Sequence, residues 1–352
     1  MFLHIDIDSF FVSAERSLDP SLKNIPVAVG GRSNLEIFNK KRTNIRLMDE
    51  NSGAFVTPVF YSDRAKTFRS FFIDKIEGRD KIRGIITTSS YEARACGIKT
   101  GMPIAQALRL CPQLVVVPSH YLLYHQLSQK ICHFLQARIP QLEQYSIDEF
   151  FGNVEGLEAA EEIDRFAAEL KEGIYRHFDI PVSIGISHSK WIAKLATSYA
   201  KPFGIRHVHD VNSFIETIPI EKFPGIGRGF QKRLKAHYIH TLGEARRSKS
   251  LFYRWKKPGI QLYHRICGSD KEGIGSKTVR KSIGISRTFD PIMEDWEIRR
   301  RMMIMARHIA YMVIKQKVNP TMFYLKINYQ YSIRAKTTQR SQRIFSEKRF
   351  KD

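Results

Sequence analysis

The chain has 352 residues, of which 43% are hydrophobic, enough for two or three domains with sizeable cores. Its net charge of +22 is uneven: residues 1–220 hold 26 basic and 25 acidic side chains, whereas residues 221–352 hold 31 and 10. The excess of basic residues in 221–352 indicates nucleic acid as the leading partner. A membrane is a weaker candidate, because the chain has no continuous apolar run of about 18 residues.

The amino terminus and the cysteines predict a reduced, cytoplasmic protein. MFLHIDIDSFF has acids at positions 6 and 8 and no leading Lys or Arg, unlike a secretory signal. The four cysteines match no zinc or redox spacing, so we expect reduced thiols. They are Cys96, Cys111, Cys132 and Cys267.

Predicted strands and helices alternate through about residue 208, which indicates an α+β or α/β core. The predicted strands cover 1–7, 25–29, 84–88, 114–117 and 182–186, with two short ones around the turn in YSIDEFFGN; the predicted helices cover 9–17, 104–110, 121–139 and 158–178. Between about 32 and 83 the pattern breaks down, which predicts an inserted, partly helical subregion.

The predicted secondary structure changes after residue 208. Residues 210–275 predict short helices with glycine turns, and residues 271–281 read as an exposed basic linker. A second α+β module follows, with predicted strands at 282–289, 321–331 and near 340–346 and a helix at 294–317.

Three acidic residues, Asp6, Asp148 and Glu149, follow short apolar runs that read as strands. Carboxylates that converge at strand ends bind Mg²⁺, and two such ions about 3.5 to 4 Å apart support phosphoryl transfer. On spacing alone the alternative stays open, because a strand-end Asp is often a turn residue or a helix cap.

The segment Phe223–Gly227 has a glycine, apolar, glycine turn that precedes a helical pattern with Lys232, Arg233 and Lys235. Such a turn lets backbone N–H groups approach a phosphate, so we predict a DNA-binding helix-hairpin-helix. The alternative is a plain helical hairpin.

Several side chains near the predicted strand ends are suited to a nucleotide. Tyr91 and Arg94 follow a strand, where a guanidinium can contact a triphosphate in a bidentate manner, and on spacing alone a surface turn stays open as the alternative. Lys190, Lys194 and Lys201 share a helix face. For Lys190 and Lys194 we favour a solvated face. The histidines, which show no paired metal spacing, are read as ordinary: His4, His188, His207, His209, His237 and His240.

Seven blocks in order resemble the Y-family translesion DNA polymerases, most closely the bacterial polymerase IV type. They are IDIDSFFVSAE, PVAVGG, SYEARACGIKTGMPIAQALRLCP, YSIDEFF, IGISHSKWIAKLATSYAKPFG, FPGIGRGFQKRL and RKSIGISRTF, and the resemblance runs from residue 1 to about 331.

The resemblance implies an α+β multidomain fold, a right-hand polymerase with an added little finger. The implied domains are a palm with a mixed β-sheet at 1–10 and 120–208, fingers at 11–119 with an insert at about 33–82, a helical thumb with the helix-hairpin-helix at 209–270, a linker at 271–280 and a little finger at 281–352.

The resemblance also implies roles for individual residues. Asp6, Asp148 and Glu149 match the catalytic metal ligands, with the Ile7 carbonyl as a further ligand of the two Mg²⁺ ions. Phe11 matches the steric gate against ribonucleotides. The implied triphosphate contacts are Thr88, Tyr91, Arg94 and Lys201, and the expected DNA contacts are Gly225, Ile226, Gly227, Lys232, Arg280 and Lys281. Asp8 lies outside the family's ligand position, so we expect it to be structural.

Three departures from the family stand out. The segment between Gly31 and Arg83 exceeds the family's short connection by about 45 residues. After SIDE the chain continues as FFGN, where the family usually has a small residue followed by an aromatic residue, Leu and Asp. The little finger is expected to stop early, at Asp352, and to lack a C-terminal clamp-binding peptide.

We therefore predict a low-fidelity DNA polymerase for translesion synthesis and DNA repair, working as a monomer on primer-template DNA and deoxynucleoside triphosphates, with a sliding clamp left open as a partner. The alternatives are a metal-dependent nuclease, which would have little need for the SYEAR and KPFG blocks, and a catalytically silent DNA-binding relative, which should have lost one of the acids.

Overall fold

The computed structural model describes residues 1–33, 35–39, 46–48, 59–61, 67–76, 78–154, 162–275, 282–329, 333–341, 345–347 and 350. These residues form two compact units. The first comprises the described residues within Met1–Gly30 and Thr67–Thr278, and the second those within Gly31–Asp49, Thr57–Lys66 and Val279–Asp352.

The strands are β1 Phe2–Ile7, β2 Val27–Gly31, β3 Arg46–Met48, β4 Val59–Tyr61, β5 Ile73–Ile76, β6 Arg79–Ile82, β7 Ile85–Ser89, β8 Val115–Pro118, β9 Gln141–Gln144, β10 Glu149–Asn153, β11 Val182–Ser187, β12 Ile205–His207, β13 Met322–Asn328 and β14 Arg334–Arg340.

The helices are α1 Phe10–Leu18, α2 Phe68–Phe72, α3 Tyr91–Ala95, α4 Ile104–Leu110, α5 Tyr121–Gln136, α6 Ile163–Phe178, α7 Lys190–Ala200, α8 Val211–Ile215, α9 Arg228–Lys235, α10 Leu242–Arg247, α11 Lys249–Arg254, α12 Lys256–Ile266 and α13 Asp295–Lys315. Within the described part of the chain, none of them has the length and apolar character needed to cross a membrane.

A five-stranded sheet in the order β12-β11-β1-β10-β9 forms the centre of the first unit. Only β11 and β12 run parallel, and the other neighbours are antiparallel, so the sheet is mixed as predicted. Leu3, Ile5 and Ile7 alternate along β1 and enter a core with helices α1, α5 and α6. Burying this face fixes the register, because a shift of one residue would bury His4 and Asp6 there instead.

Helix α7 covers the opposite face of the sheet. Its backbone approaches β11 so closely that a Cβ at Gly185 would lie 2.0 Å from the Ala193 carbonyl oxygen. The outer side of α7 contributes Trp191, Ile192 and Leu195 to a second core, shared with the residues of helices α8–α12. Helix α7 is therefore enclosed between the sheet and a helical subdomain.

A smaller subdomain of the first unit is built on the sheet β7-β2-β8. Its core contains residues of α2, α3 and α4, including Phe72, Ile86 and Ile104. Gly30 is required here by close packing, because an added Cβ would lie 2.5 Å from the Phe72 ring.

The second unit contains helix α13 and the antiparallel pair β13-β14. The rings of Phe323, Phe345 and Phe350 pack together, with centroids 5.5 to 6.2 Å apart. Part of the inserted segment also belongs to this unit, since Arg300 donates a hydrogen bond of 2.8 Å to the Phe38 carbonyl. The strand predicted over 282–289 is wrong, because no strand is assigned to these residues.

Candidate active site

The register of β1 and β10 brings two predicted ligands side by side. Asp6 pairs with Glu149 across the antiparallel ladder. Asp148 immediately precedes β10, and its carbonyl accepts a hydrogen bond of 3.0 Å from the Ile7 N–H group. All three predicted acids therefore lie at the same end of the central sheet, with the Ile7 backbone between them.

The electrostatics of these acids reflect burial and crowding. Burial is the main cause that raises the pKa of Asp6 to about 7; the charges of Asp148 and Glu149 raise it further, and Lys201 opposes the shift. Burial likewise raises the pKa of Asp148, although Ser146 donates a hydrogen bond of 2.5 Å to its carboxylate. Without a cation, the ionised forms of Asp6 and Asp148 are therefore disfavoured.

Three lysines of α7 and its C-terminal end face the sheet. The Lys201 amine lies 2.5 Å from the Asp6 carboxylate, and the Lys194 amine contacts the Glu149 carboxylate. Lys190 binds Glu143 on β9 at 2.6 Å. The solvated face expected for Lys190 and Lys194 is wrong: their side chains are 7% and 17% exposed. A buried amine requires such a partner.

His4 is a second group whose role the sequence did not reveal. Its side chain is buried, and Nδ1 lies 2.8 Å from the Thr197 hydroxyl. Nε2 lies 3.5 Å from the Lys194 amine and 3.8 Å from the Glu149 carboxylate. Burial lowers the pKa of His4 well below its usual value, and the neighbouring lysines lower it further. A neutral His4 thus supports the side chain that binds Glu149.

Asp8 is structural, as predicted. It is 1% exposed, and its carboxylate accepts hydrogen bonds from Ser183 at 2.9 and 3.0 Å and from the Phe203 N–H group at 2.7 Å. The Tyr91 hydroxyl is the third donor, at 3.0 Å. These donors fix the loop after β1 to α3.

The predicted triphosphate contacts come from two segments. Tyr91 is the first residue of α3, and Thr88 lies three residues earlier in β7. The Arg94 guanidinium is exposed, lies 4.9 Å from the centroid of the Tyr91 ring and donates to the Ser89 carbonyl at 3.0 Å. Lys201 comes from α7 and contacts Asp6. The hydrogen bond from Tyr91 to Asp8 ties α3 to the loop that follows β1, the strand that carries Asp6.

Phe11 lies in the first turn of α1 and is half-buried. Its ring is stacked on Tyr124, with centroids 4.3 Å apart and an interplanar angle of 11°, and meets Tyr121 edge-on at 5.8 Å. The Tyr124 hydroxyl in turn donates a hydrogen bond of 2.5 Å to Glu15. The Phe11 ring is therefore held by helix α5.

The predicted hairpin turn precedes α9. Gly225 has φ of 96°, a conformation that favours glycine, and Gly227 caps α9 without a side-chain hydrogen bond. An added Cβ would meet no described atom within 4 Å at either glycine, whereas Ile226 is 4% exposed and packs in the helical core. Lys232 is exposed. Arg280 and Lys281 lie outside the described residues.

Comparisons with known proteins agree with this architecture. The family model of the impB/mucB/samB proteins matches residues 5–198. DNA polymerase IV of Yersinia enterocolitica is 29% identical over 300 residues, 84% of this chain and 72% of that protein. DNA polymerase IV 1 of Halalkalibacterium halodurans is 32% identical over 295 residues, 82% and 60%.

Among solved structures, a Y-family DNA polymerase chimera of Dbh and Dpo4 matches with a TM-score of 0.74 and 22% identity, covering 99% of this chain and 90% of that one. DinB from Sulfolobus solfataricus matches with a TM-score of 0.58 and 20% identity over the same shares of the two chains. The fold is that of a Y-family DNA polymerase, which confirms the prediction from the sequence. The chain belongs to the impB/mucB/samB family.

Proposed function

We propose that Asp6, Asp148 and Glu149 bind the catalytic metal ions of a DNA-directed DNA polymerase that carries out translesion synthesis. The observation that carries this assignment is the pairing of Asp6 with Glu149 on neighbouring strands, with Asp148 adjacent. The DNA polymerase IV relatives and the Y-family fold support the activity. The enzyme is a nucleotidyltransferase that extends a primer on a template.

The donor set fits a hard divalent cation. Three carboxylates and the Ile7 carbonyl are the oxygen ligands that Mg²⁺ prefers. The raised pKa of Asp6, to about 7, comes first from burial and then from the charges of Asp148 and Glu149, and a bound cation would oppose both effects. When bound, two Mg²⁺ ions would stabilise charge on the attacking 3′-oxygen and on the triphosphate.

The remaining side chains have positioning roles. We assign Lys201 to the binding of a phosphate of the incoming nucleotide. Its amine pairs with Asp6 and would be free to contact that phosphate once cations neutralise Asp6. Thr88, Tyr91 and Arg94 would bind the other phosphate oxygens, since hydroxyl and guanidinium groups donate to them. Phe11, stacked on Tyr124, would exclude a ribose 2′-hydroxyl.

We assign the DNA grip to the basic segment 221–352. Gly225 and Gly227 leave the backbone before α9 open to a phosphate, and the exposed Lys232 follows on α9. Arg280 and Lys281 are assigned to the same role from the family resemblance. Replacing Lys232 by Ala should weaken binding to all sequences and reduce the salt slope by about 1. Lys235→Ala is the control, because Lys235 already pairs with Glu221.

Three further proposals rest on the family resemblance alone. The protein is a monomer, it works in the cytoplasm, and it acts with or without a sliding clamp.

Primer extension with labelled DNA, Mg²⁺ and deoxynucleotides tests the proposal. The wild-type protein should lengthen the primer, whereas a nuclease would shorten it and a silent relative would leave it unchanged. Asp148→Ala should reduce incorporation by about 10³-fold or more, because one of the three carboxylates that would hold the metal ions is lost. Glu143→Gln, which alters an acid on the adjacent β9, is the matched control. Near-normal extension by Asp148→Ala would refute the metal assignment.

A further inference from the structure

Two histidines and an aspartate meet at the edge of the central sheet. Asp164 lies in the first turn of α6, His207 ends the edge strand β12, and His209 follows two residues later. The His207 Nδ1 atom lies 2.8 Å from the Asp164 carboxylate, and the two imidazole rings have centroids 3.9 Å apart. Each residue offers one ligand atom, and these atoms lie within 4.8 Å of one another.

The state of His207 points to a ligand. Its side chain is 7% exposed, and Nε2 is buried without a hydrogen bond to any residue in the described ranges. Because a carboxylate only accepts, Nδ1–H donates to Asp164, and this tautomer leaves the lone pair on Nε2. A buried acceptor without a partner is unfavourable, and a metal ion would satisfy it. Carboxylate-bound imidazoles are typical of metal sites.

This cluster is separate from the acids at Asp6. His207 pairs with Ile186 of β11, which pairs with Leu3 of β1, three residues before Asp6. Three residues span about 10 Å along a strand, and β12 lies two strands from β1. His207 also shares the sheet face of Ile186 and Leu3, which α6 covers, whereas Lys201 and α7 lie on the other face. One ion cannot serve both places.

We propose that Asp164, His207 and His209 form a binding site for a divalent transition metal of the Zn²⁺ class. Two imidazoles suit a borderline cation, whereas Mg²⁺ prefers oxygen ligands, and Asp164 would orient His207 through the hydrogen bond from Nδ1–H. Two protein ligands leave the remaining positions of the ion to water. The ion would join the two histidines at the end of β12, which the bond from His207 to Asp164 ties to α6, so its effect is on the stability of the sheet edge.

The test uses the full-length protein with Zn²⁺ and Co²⁺ as probes, in millimolar Mg²⁺ to occupy the acids at Asp6. We expect one equivalent of Zn²⁺ to bind with a Kd of about 1 μM or lower and to raise Tm by several degrees. Co²⁺ should give visible d–d absorption that Zn²⁺ abolishes. Neither readout depends on polymerase activity, so the result is independent of the proposed function.

Variants decide whether these residues form the site. His209→Ala and Asp164→Asn should each weaken Zn²⁺ binding at least about 10-fold. Both residues are exposed, so the variants should fold, which circular dichroism checks. His177→Ala, which changes an exposed histidine of the same helix, and Asp148→Asn should bind Zn²⁺ normally. Wild-type binding no tighter than millimolar, or unchanged affinity in His209→Ala, would overturn the site.

Discussion

The Lys190 amine lies 2.6 Å from the carboxylate of Glu143, and this pair is the first of three along the face of α7. Lys194 binds Glu149 and Lys201 binds Asp6, so successive lysines meet acids on β9, β10 and β1. The helix thus supplies counter-charges for two of the proposed metal ligands. A metal ion must displace or share these partners.

Replacing Lys194 by Met should make Mg²⁺ bind more readily. The amine competes with a cation for Glu149, so its loss should lower the Mg²⁺ concentration at half-maximal single-nucleotide extension by about 3- to 10-fold. The metal-free protein should become less stable, because a largely buried carboxylate loses its partner. Lys23→Met, which removes a partly exposed pair with Asp179, is the control. An unchanged or higher Mg²⁺ requirement would contradict the competition.

The positions of Asp6, Asp148 and Glu149 were predictable because alternating apolar residues define where a strand ends. The burial of Lys194 was not predictable, because helical periodicity does not show which part of the protein packs against a given face of the helix. Helix α7 has the sheet on one side and the core of α8–α12 on the other. Residues 282–289 illustrate the converse: their exposure alternates as in a strand, but no strand is assigned there in the described structure. Alternating exposure indicates an extended segment, but a β-strand also needs a neighbouring strand with which to pair.

The stack behind Phe11 should sharpen discrimination against ribonucleotides. Phe11→Ala should admit them, and Tyr124→Leu should weaken discrimination by about 10-fold, because the Phe11 ring loses its parallel support. The measurement is the ratio of kcat/KM for deoxynucleotide and ribonucleotide incorporation. Tyr121→Phe retains the edge contact and should behave as wild type. Full discrimination in Tyr124→Leu, with loss in Phe11→Ala, would show that the ring needs no support.

Asp6→Asn should stabilise the metal-free protein while abolishing extension. The pKa of Asp6 is raised from 3.8 to about 7 by burial and by the neighbouring acids, so the charged form is disfavoured in the folded state. The contribution of Asp6 to the stability of the folded protein is fully present below pH 3.8 and is lost as the pH rises through 7. Asn mimics the neutral form, so above pH 7 the variant should be more stable by roughly 4 kcal/mol, the free-energy equivalent of the change in pKa from 3.8 to about 7.

Urea denaturation in EDTA at pH 8 and pH 4 measures this difference, which should nearly vanish at pH 4. Asp80→Asn alters an exposed pair with Arg69 and should change the free energy of unfolding by less than about 0.5 kcal/mol. A less stable Asp6→Asn protein at pH 8 would mean that the pair with Lys201 outweighs the crowding.

Glu272 connects the end of the helical subdomain to α7. Its carboxylate accepts hydrogen bonds from Arg265 at 2.6 and 2.7 Å, from Trp191 at 3.0 Å and from Gln261 at 2.9 Å. Nearby, Ser189 donates to Asp270 at 2.6 Å. The segment that enters the predicted linker is therefore bound to α7 through residue 272.

Replacing Glu272 by Gln should loosen this attachment in a pH-dependent way. Burial raises the pKa of Glu272, but the hydrogen bonds from Arg265, Gln261 and Trp191 outweigh it and lower the pKa to about 2. The stabilisation is present above pH 4.5 and is lost as the pH falls towards 2. With a side chain 31% exposed, the variant should lose only about 1 kcal/mol of unfolding free energy at pH 7, and less at pH 3. Glu216→Gln, in an exposed pair with Arg247, is the control. Equal losses at both pH values would indicate that shape, rather than charge, holds the segment to α7.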